Sequence, residues 1–368
     1  SGMGLNAFVA YGIVLGAGVP WQTAMGLIVL DGLIILVLVI CGLREAVLQA
    51  IPRDLRRAIA AGIGLFIAFI GMVNARMVIV PPGTLGVLSK APDAVMPPVT
   101  FGSLRTPETA VAVIGLLVTA FLLARRVKGA LVLGIILSTA IAFIFGVAQA
   151  PSGFGWPSFE GAFRKEMLAV LNPVTFLSLL PMLLAFLMVD FFDTLGTVTG
   201  IAEQAGLEDA QGRIPRIRQI LMIDSISASI GGLFGVSSVT SYIESAAGVG
   251  EGARTGLHTI IVGALFLACV FVAPLAGIVP AAATAPALIL VGFLMAGQIA
   301  RIDTEALDTA IPAFVTLVAL PFTYSISHGI GYGFITFVAI KVLSRRFRDV
   351  HPLMAATTAA FAAYFIFG

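Results

Sequence analysis

The chain has 368 residues, of which 59% are hydrophobic and 11% are charged, and its mean hydropathy is +1.07. A soluble domain carries about 25% charged residues, so this composition excludes an ordinary soluble protein and indicates an all-α polytopic membrane protein. The formal net charge is +2 and the basic residues are scattered over short loops, so no nucleic-acid partner is expected.

The cysteines and histidines give no sign of a metal site. Cys41 and Cys269 lie inside apolar runs, where packing is their expected role. The three histidines, His258, His328 and His351, are not spaced as metal ligands. We therefore predict neither a metal nor a cofactor.

Apolar runs of roughly 20 residues predict the membrane spans. The sequence opens on SGMGLNAF with neither an initiating Met nor a signal peptide, so we expect it to begin inside a structural element. The charged connector 44–57 predicts an amphipathic helix at the membrane interface, and 352–367 either spans the membrane or lies at its surface. The apolar segments are 1–18, 21–42, 58–74, 107–124, 129–148, 174–202, 217–235, 256–278, 282–299, 306–325, 328–344 and 352–367.

Two aspartates interrupt the longest apolar segment, in the stretch VDFFDTLGTVTG at 189–200. Asp190 and Asp193 are three residues apart, so they share one helix face. A carboxylate inside a membrane normally faces a bundle interior or a watery cavity. The pair therefore indicates either a polar contact between helices or a binding site.

A second stretch, SSVTSYIESAAGVGEG at 237–252, predicts a broken span. The β-branched residues before Glu244 favour a short extended piece, and the small residues after it favour a half-helix. Irregular backbone at membrane depth occurs where it is buried in protein or lines a cavity. GMGLNAF at 2–8 is similar, with Asn6 as a helix cap or a ligand, and Phe8 and Tyr242 beside the two breaks could stack on a flat ligand.

The two broken segments belong to a weak internal repeat. Each is followed by a span, an Ile-Pro or Val-Pro pair and a Gly-rich span, and an odd number of helices separates the two units. The units must therefore be inverted relative to each other. Inverted repeats with interrupted helices indicate a transporter and its binding site.

The membrane interior is rich in acids. No Lys or Arg occupies the middle of a predicted span, whereas Asp31 and Asp224 each lie alone in one and are expected to be structural. Acids of this kind suit a substrate with N–H donors or a coupled proton, because burial favours the protonated form of a carboxyl group.

Together, GMGLNAF, VDFFDTLGT, SSVTSYIESAAGVGEGARTG and IPAFVTLVALPFTYSISHGIGYGF resemble the AzgA-type purine permeases, a branch of the nucleobase–cation symporters. The resemblance implies the uracil-permease fold, with fourteen spans in two inverted seven-span repeats. It also implies a core domain (1–42 and 149–278) and a gate domain (43–148 and 279–368). The two spans that normally precede GMGLNAF are missing here.

The resemblance also implies roles for individual residues. Asn6, Asp190 and Glu244 would bind the purine, with Gly4 and Ile243 supplying backbone near it. Either of these acids, or Asp193 one turn along, would carry the coupled proton. The family also implies a bacterial inner membrane location and a homodimer through the gate domain.

The leading hypothesis is therefore a proton-coupled importer of adenine, guanine or hypoxanthine that works by alternating access and is not an enzyme. One alternative is a permease of the same fold for uracil, xanthine or an anion, as in sulfate permeases. A remote alternative, suggested by the two membrane-depth aspartates, is an intramembrane aspartyl protease. Against it, Asp190 and Asp193 share one helix and lack the YD and GxGD settings of those enzymes.

Overall fold

A computed structural model describes residues 5–6, 8–81, 83–84, 87, 99–148, 160–209, 213–242, 245–271 and 278–367. Almost all regular structure in these ranges is helical. A π-helix covers Phe8–Gly16, and 3-10 segments cover Lys165–Leu171, Gly297–Arg301 and Phe347–Asp349. The other elements, in chain order, are α1 (Trp21–Ile40), α2 (Leu43–Ala50), α3 (Arg53–Asn74), β1 (Val78–Ile79), β2 (Thr100–Phe101), α4 (Pro107–Ala124), α5 (Ala130–Ile144), α6 (Pro173–Ala205), α7 (Ile217–Leu233), α8 (Ser245–Gly250), α9 (Gly256–Phe271), α10 (Ala281–Ala296), α11 (Leu307–Phe322), α12 (Ile326–Leu343) and α13 (Pro352–Phe367).

Six of the described helices are long and apolar enough to cross a membrane: α1, α3, α4, α6, α12, and α10 together with its 3-10 extension. The predicted polytopic helical fold is confirmed. Local signals set the helix ends. The side chain of Asn172 accepts a hydrogen bond from the Val174 backbone N–H at 3.0 Å and caps α6, and Pro173 occupies its first turn.

The connector predicted as one interfacial helix over 44–57 is divided in two. Helix α2 ends at Ala50, and α3 begins at Arg53 and carries the basic residues of the connector into the following span. Pro52 explains the break, because its ring disfavours helical backbone at Ile51 and it has no N–H for a helical hydrogen bond.

The chain divides into two compact units. The first consists of Ser1–Leu65, Ser158–Gly250 and Met295–Gly368, and the second of Phe66–Pro157 and Glu251–Leu294. The predicted division into core and gate domains stays a prediction.

In the first unit, α1 and α7 pack with their backbones close together. A Cβ atom added at Gly32 would lie 2.8 Å from the Ser225 carbonyl oxygen and closer still to Ser229 Oγ, and one added at Gly232 would lie 3.0 Å from the Met25 carbonyl oxygen. Small residues permit this approach inside membranes, where van der Waals packing drives helix association.

The second unit is built on the α4–α5 hairpin and a short antiparallel sheet in which Val78 pairs with Phe101 and Ile79 with Thr100. Its small core contains Ala75, Ala112 and Ala285. Helix α9 buries none of its residues against the described structure.

The predicted break at 237–252 is confirmed in its described part. Residues 237–242 run without helical structure, and the short helix α8 begins at Ser245. At the other break, Leu5 and Asn6 are helical and the π-helix follows. The tips of both breaks, 1–4 and 243–244, lie outside the described residues.

Candidate functional site

Helix α6 carries the two predicted site acids, and it places them differently. Asp190 lies near the middle of the helix with only 2% of its surface exposed. Asp193, one turn further along, is partly exposed. Its predicted part in proton coupling stays a prediction.

Asp31 of α1 lies beside Asp190. Asp31 is completely buried, and the two carboxyl groups are within hydrogen-bonding reach of each other. No N–H or O–H group of the described residues donates to either Asp31 oxygen or to Oδ1 of Asp190. The structure thus brings together two acids that the sequence left on separate helices, and Asp31 does not lie alone as we expected.

Arg44, at the start of α2, inserts its side chain among these acids and is completely buried. Its Nη2 group donates to the carbonyl oxygens of Asp190 and Phe191, both at 3.3 Å. Its Nη1 group donates to Ser225 Oγ at 3.4 Å and lies 3.6 Å from Asp224 Oδ2. The guanidinium therefore joins α6 to α7.

Burial lowers the pKa of the Arg44 guanidinium, and Asp224, Asp190, Asp31 and Asp193 oppose that shift. An arginine side chain is not deprotonated in proteins, so the group remains a cation. It balances part of the negative charge that Asp31, Asp190 and Asp224 bring into this interior.

Asp224 of α7 receives hydrogen bonds from two other elements. Its Oδ1 atom accepts from the Ser241 backbone N–H at 2.7 Å, from Ser241 Oγ at 2.9 Å and from Thr240 Oγ1 at 3.2 Å. Its Oδ2 atom accepts from Thr194 Oγ1 at 2.9 Å. This carboxylate therefore fastens the non-helical segment of the broken span to α6 and α7, which agrees with the structural role expected for it.

The remaining predicted ligands are described only in part. Asn6 is partly buried. Tyr242, the last described residue of the non-helical segment 237–242, is 37% exposed. Phe8 begins the π-helix. Three further predicted residues, Gly4, Ile243 and Glu244, lie outside the described residues. The convergence of Asp190 with Glu244 therefore stays a prediction.

The sequence did not predict that Arg44 and Asp31 would lie beside Asp190. Arg44 begins the connector that was predicted to lie at the membrane interface, although it shares a helix face with Val47 and Leu48, both of which are buried. That i, i+3, i+4 pattern is a signal for burial. The partnership of Asp31 with Asp190 left no local pattern to detect.

An apolar cavity of about 240 Å³ lies in the same unit between α1, α2, α6 and α13. Thr357 is its one polar lining residue, and the rest are aliphatic or aromatic side chains or alanine. A site for a small polar ligand needs a few convergent polar groups, so this cavity is a poor candidate. Among the described residues, no group of three or more His, Cys, Asp or Glu side chains could hold a metal ion.

Comparison with known sequences identifies the family. The profile described as "Permease family" (Xan_ur_permease) matches residues 1–332. The chain belongs to this Permease family. The predicted resemblance to purine permeases is confirmed by its relatives.

This permease is 39% identical to a putative permease of Methanocaldococcus jannaschii, over all of this chain and 81% of that protein. It is 38% identical to the guanine/hypoxanthine permease PbuG of Bacillus subtilis, over all of this chain and 80% of that protein. It is also 36% identical to the adenine permease AdeP of Escherichia coli, over 99% of this chain and 79% of that protein. These relatives and the apolar helices identify a multi-pass protein of the inner (cell) membrane.

A solved structure supports the fold. The transmembrane domain of a cyanobacterium bicarbonate transporter, BicA, superposes with a TM-score of 0.57, covering 88% of this chain and 80% of that one. The two are 17% identical, so the likeness shows a transporter fold and does not bear on substrate.

Proposed function

We propose that this permease is a symporter, and not an enzyme, that imports the purine nucleobases adenine, guanine or hypoxanthine together with protons by alternating access. Support for the substrate class comes from relatives named as adenine and guanine/hypoxanthine permeases, which match nearly the full chain. In this proposal the predicted core domain carries the site across the membrane while the predicted gate domain stays fixed.

The observation that carries the proposal is the buried Asp190 carboxyl group with an oxygen that receives no donor from the described residues. A purine offers ring N–H groups and, in adenine and guanine, an exocyclic amine. Leaving a buried polar atom without a partner costs about 1–3 kcal/mol, so a ligand that supplies the missing donor gains that free energy. Asp190 and Glu244 are the proposed acceptors for the base.

Asn6, Phe8 and Tyr242 complete the proposed pocket, with backbone from Gly4 and Ile243. The side-chain amide of Asn6 can both donate and accept, which suits the edge of a purine. Tyr242 retains an exposed face beside the break, where a flat ring could stack.

An anion substrate is less well supported. Arg44 is the one cation that the described structure places among these acids, and its Nη groups are already directed at two carbonyl oxygens, Ser225 and Asp224. The three nearby aspartates would also repel an anion. The protease alternative is not favoured, because the relatives are permeases.

Uptake of radiolabelled hypoxanthine by cells lacking their own purine permeases tests the proposal. We expect Asp190→Asn or Glu244→Gln to abolish uptake while the protein still reaches the membrane, because each substitution replaces a carboxylate acceptor by an amide. Asp303→Asn makes the same change at an exposed position and should leave uptake unchanged. Uptake at the wild-type rate in both site variants would refute the assigned roles.

A binding panel separates the substrate alternatives. Thermal stabilisation of the purified protein is measured with adenine, guanine, hypoxanthine, xanthine, uracil, sulfate and a dicarboxylate. Stabilisation by adenine, guanine or hypoxanthine supports the proposal. Stabilisation by uracil, xanthine or the anions alone would contradict it.

A further inference from the structure

The carboxyl groups of Asp31 and Asp190 lie beside each other, and three of their four oxygens receive no hydrogen bond from the described residues. They lie within hydrogen-bonding reach of each other, on α1 and α6, and are 0% and 2% exposed. The oxygens Oδ1 and Oδ2 of Asp31 and Oδ1 of Asp190 receive no hydrogen bond from the described N–H or O–H groups. Within the described structure, these three oxygens are buried acceptors without a donor.

Two carboxylates in direct contact away from water cannot both remain ionised, because their charges repel strongly in a medium of low dielectric constant. A proton between them removes one charge and supplies the missing donor, since a protonated carboxyl group has an O–H. Two acids that share one proton in this way titrate as a unit.

The charges that face the pair come from three helices. Arg44 on α2 is the cation that acts on both acids, Asp193 follows on α6, and Asp224 lies on α7. Because Arg44 is also ion-paired with Asp224 at 3.6 Å, it cannot neutralise both members of the pair.

The charged residues described on the other elements packed against α1 and α6 do not supply a positive charge to the pair. Lys165 and Glu166 of the 3-10 segment are exposed. His328 of α12 faces Tyr364, and Lys341 of the same helix pairs with Asp308. The described part of the π-helix carries no charged residue.

We propose that Asp31 and Asp190 together form the proton-binding site of this permease and hold one proton between them. The inference rests on the proposed function and extends it, because it makes Asp31, and not Asp190 alone, a carrier of the coupled proton. When the base donates to Asp190, the proton resides on Asp31, and so proton and base are bound at adjoining acceptors.

Infrared spectroscopy of the purified protein in lipid nanodiscs tests the shared proton directly. A protonated carboxyl group gives a carbonyl stretching band that is separate from the carboxylate bands and shifts in D₂O. We expect the wild type at neutral pH to show this band, and both Asp31→Asn and Asp190→Asn to lose the intensity of one group. Asp303→Asn, the same change at an exposed site, should leave the band unchanged.

Either of two results would overturn the inference: no carboxylic acid band in the wild type at neutral pH, or a band of full intensity in both variants. If one variant does not fold, the other decides. The measurement needs no substrate, so a failure of purine binding would refute the proposed function without deciding the proton site.

Transport supplies a second readout. Asp31→Asn resembles the protonated acid, because its amide can donate to Asp190. We expect this variant to lose the accumulation of hypoxanthine that an imposed proton gradient drives in wild-type proteoliposomes, and to lose a smaller fraction of hypoxanthine exchange measured without a gradient. Accumulation at the wild-type level in Asp31→Asn would contradict the proposal.

Discussion

Asp224 and the Asp31–Asp190 pair are buried acids on neighbouring helices, yet their surroundings are opposite. Asp224 accepts four hydrogen bonds, two of them from Ser241, and is paired with Arg44. Asp31 receives none from the described residues. A carboxylate with all its acceptors satisfied is held in one charged state, whereas one without donors gains from any proton or ligand that can donate to it.

We propose that these buried acids have two different roles: Asp224 anchors a backbone segment, whereas the Asp31–Asp190 pair binds and releases a proton. Asp224 holds the non-helical segment of the broken span in place, and the neighbouring pair is left open to a mobile partner. Asp→Asn is the same chemical change at each position, so its effects measure the difference directly.

The largest effect is expected for Asp224→Asn. The substitution removes the counter-charge of a fully buried arginine and leaves an amide N–H₂ facing donors, and breaking one side of a buried ion pair costs about 3–5 kcal/mol. We expect a large fall in the unfolding temperature of the detergent-solubilised protein and poor recovery from membranes. A variant as stable as the wild type would show that Asp224 does not anchor the segment.

An intermediate effect is expected for Gly32→Ala, which pushes α1 away from α7 and so moves Asp31 relative to Asp224. The new Cβ atom would lie 2.8 Å from the Ser225 carbonyl oxygen, and overpacking of this kind costs about 1–3 kcal/mol. Gly263→Ala on α9 is the control, because nothing lies within 4 Å of its added Cβ atom. Equal unfolding temperatures for the two variants would contradict close packing of α1 on α7.

A smaller effect is expected for Ser241→Ala. The variant loses the hydroxyl donor at 2.9 Å but keeps the backbone N–H at 2.7 Å, so Asp224 remains satisfied on that side. The expected loss is about 1 kcal/mol of the free energy of unfolding. Chemical denaturation monitored by tryptophan fluorescence measures it, and a loss as large as that of Asp224→Asn would place the anchor in Ser241 instead.

The smallest effect on stability is expected for Asp31→Asn. The amide takes the place of the protonated acid and likewise supplies Asp190 with a donor, so the free energy of unfolding should change by no more than about 1 kcal/mol. The same denaturation assay decides this point. A loss comparable to that of Asp224→Asn would mean that Asp31 is also an anchor.

The sequence predicted the helices well because hydrophobic run length is a local property. The predicted span 107–124 coincides with α4, and 217–235 differs from α7 by two residues at one end. The prediction of one interfacial helix over 44–57 was wrong, because the charged residues after Pro52 belong to the following span. In the structure, Arg56 and Arg57 enter α3 with Glu208 and Glu203 as partners, at 3.3 and 3.2 Å.

The sequence predicted Asp190 as a site residue but not its contact with Asp31. Asp190 stood out because it and Asp193 place two acids on one face of a long apolar helix, where a buried carboxylate is costly. Its relation to Asp31 depends on how α1 packs against α6, and contacts between residues far apart in the chain leave no mark on local pattern. The role of Arg44 could have been found, since Val47 and Leu48 mark the buried face of α2.

Helix α6 has 33 residues and is therefore roughly 50 Å long at 1.5 Å per residue. A bilayer's hydrocarbon layer measures only about 30 Å, so the helix must tilt or project beyond it. Asp190 sits close to the midpoint of that length. A change of tilt in a thinner or thicker bilayer therefore moves the ends of the helix much more than it moves this carboxyl group.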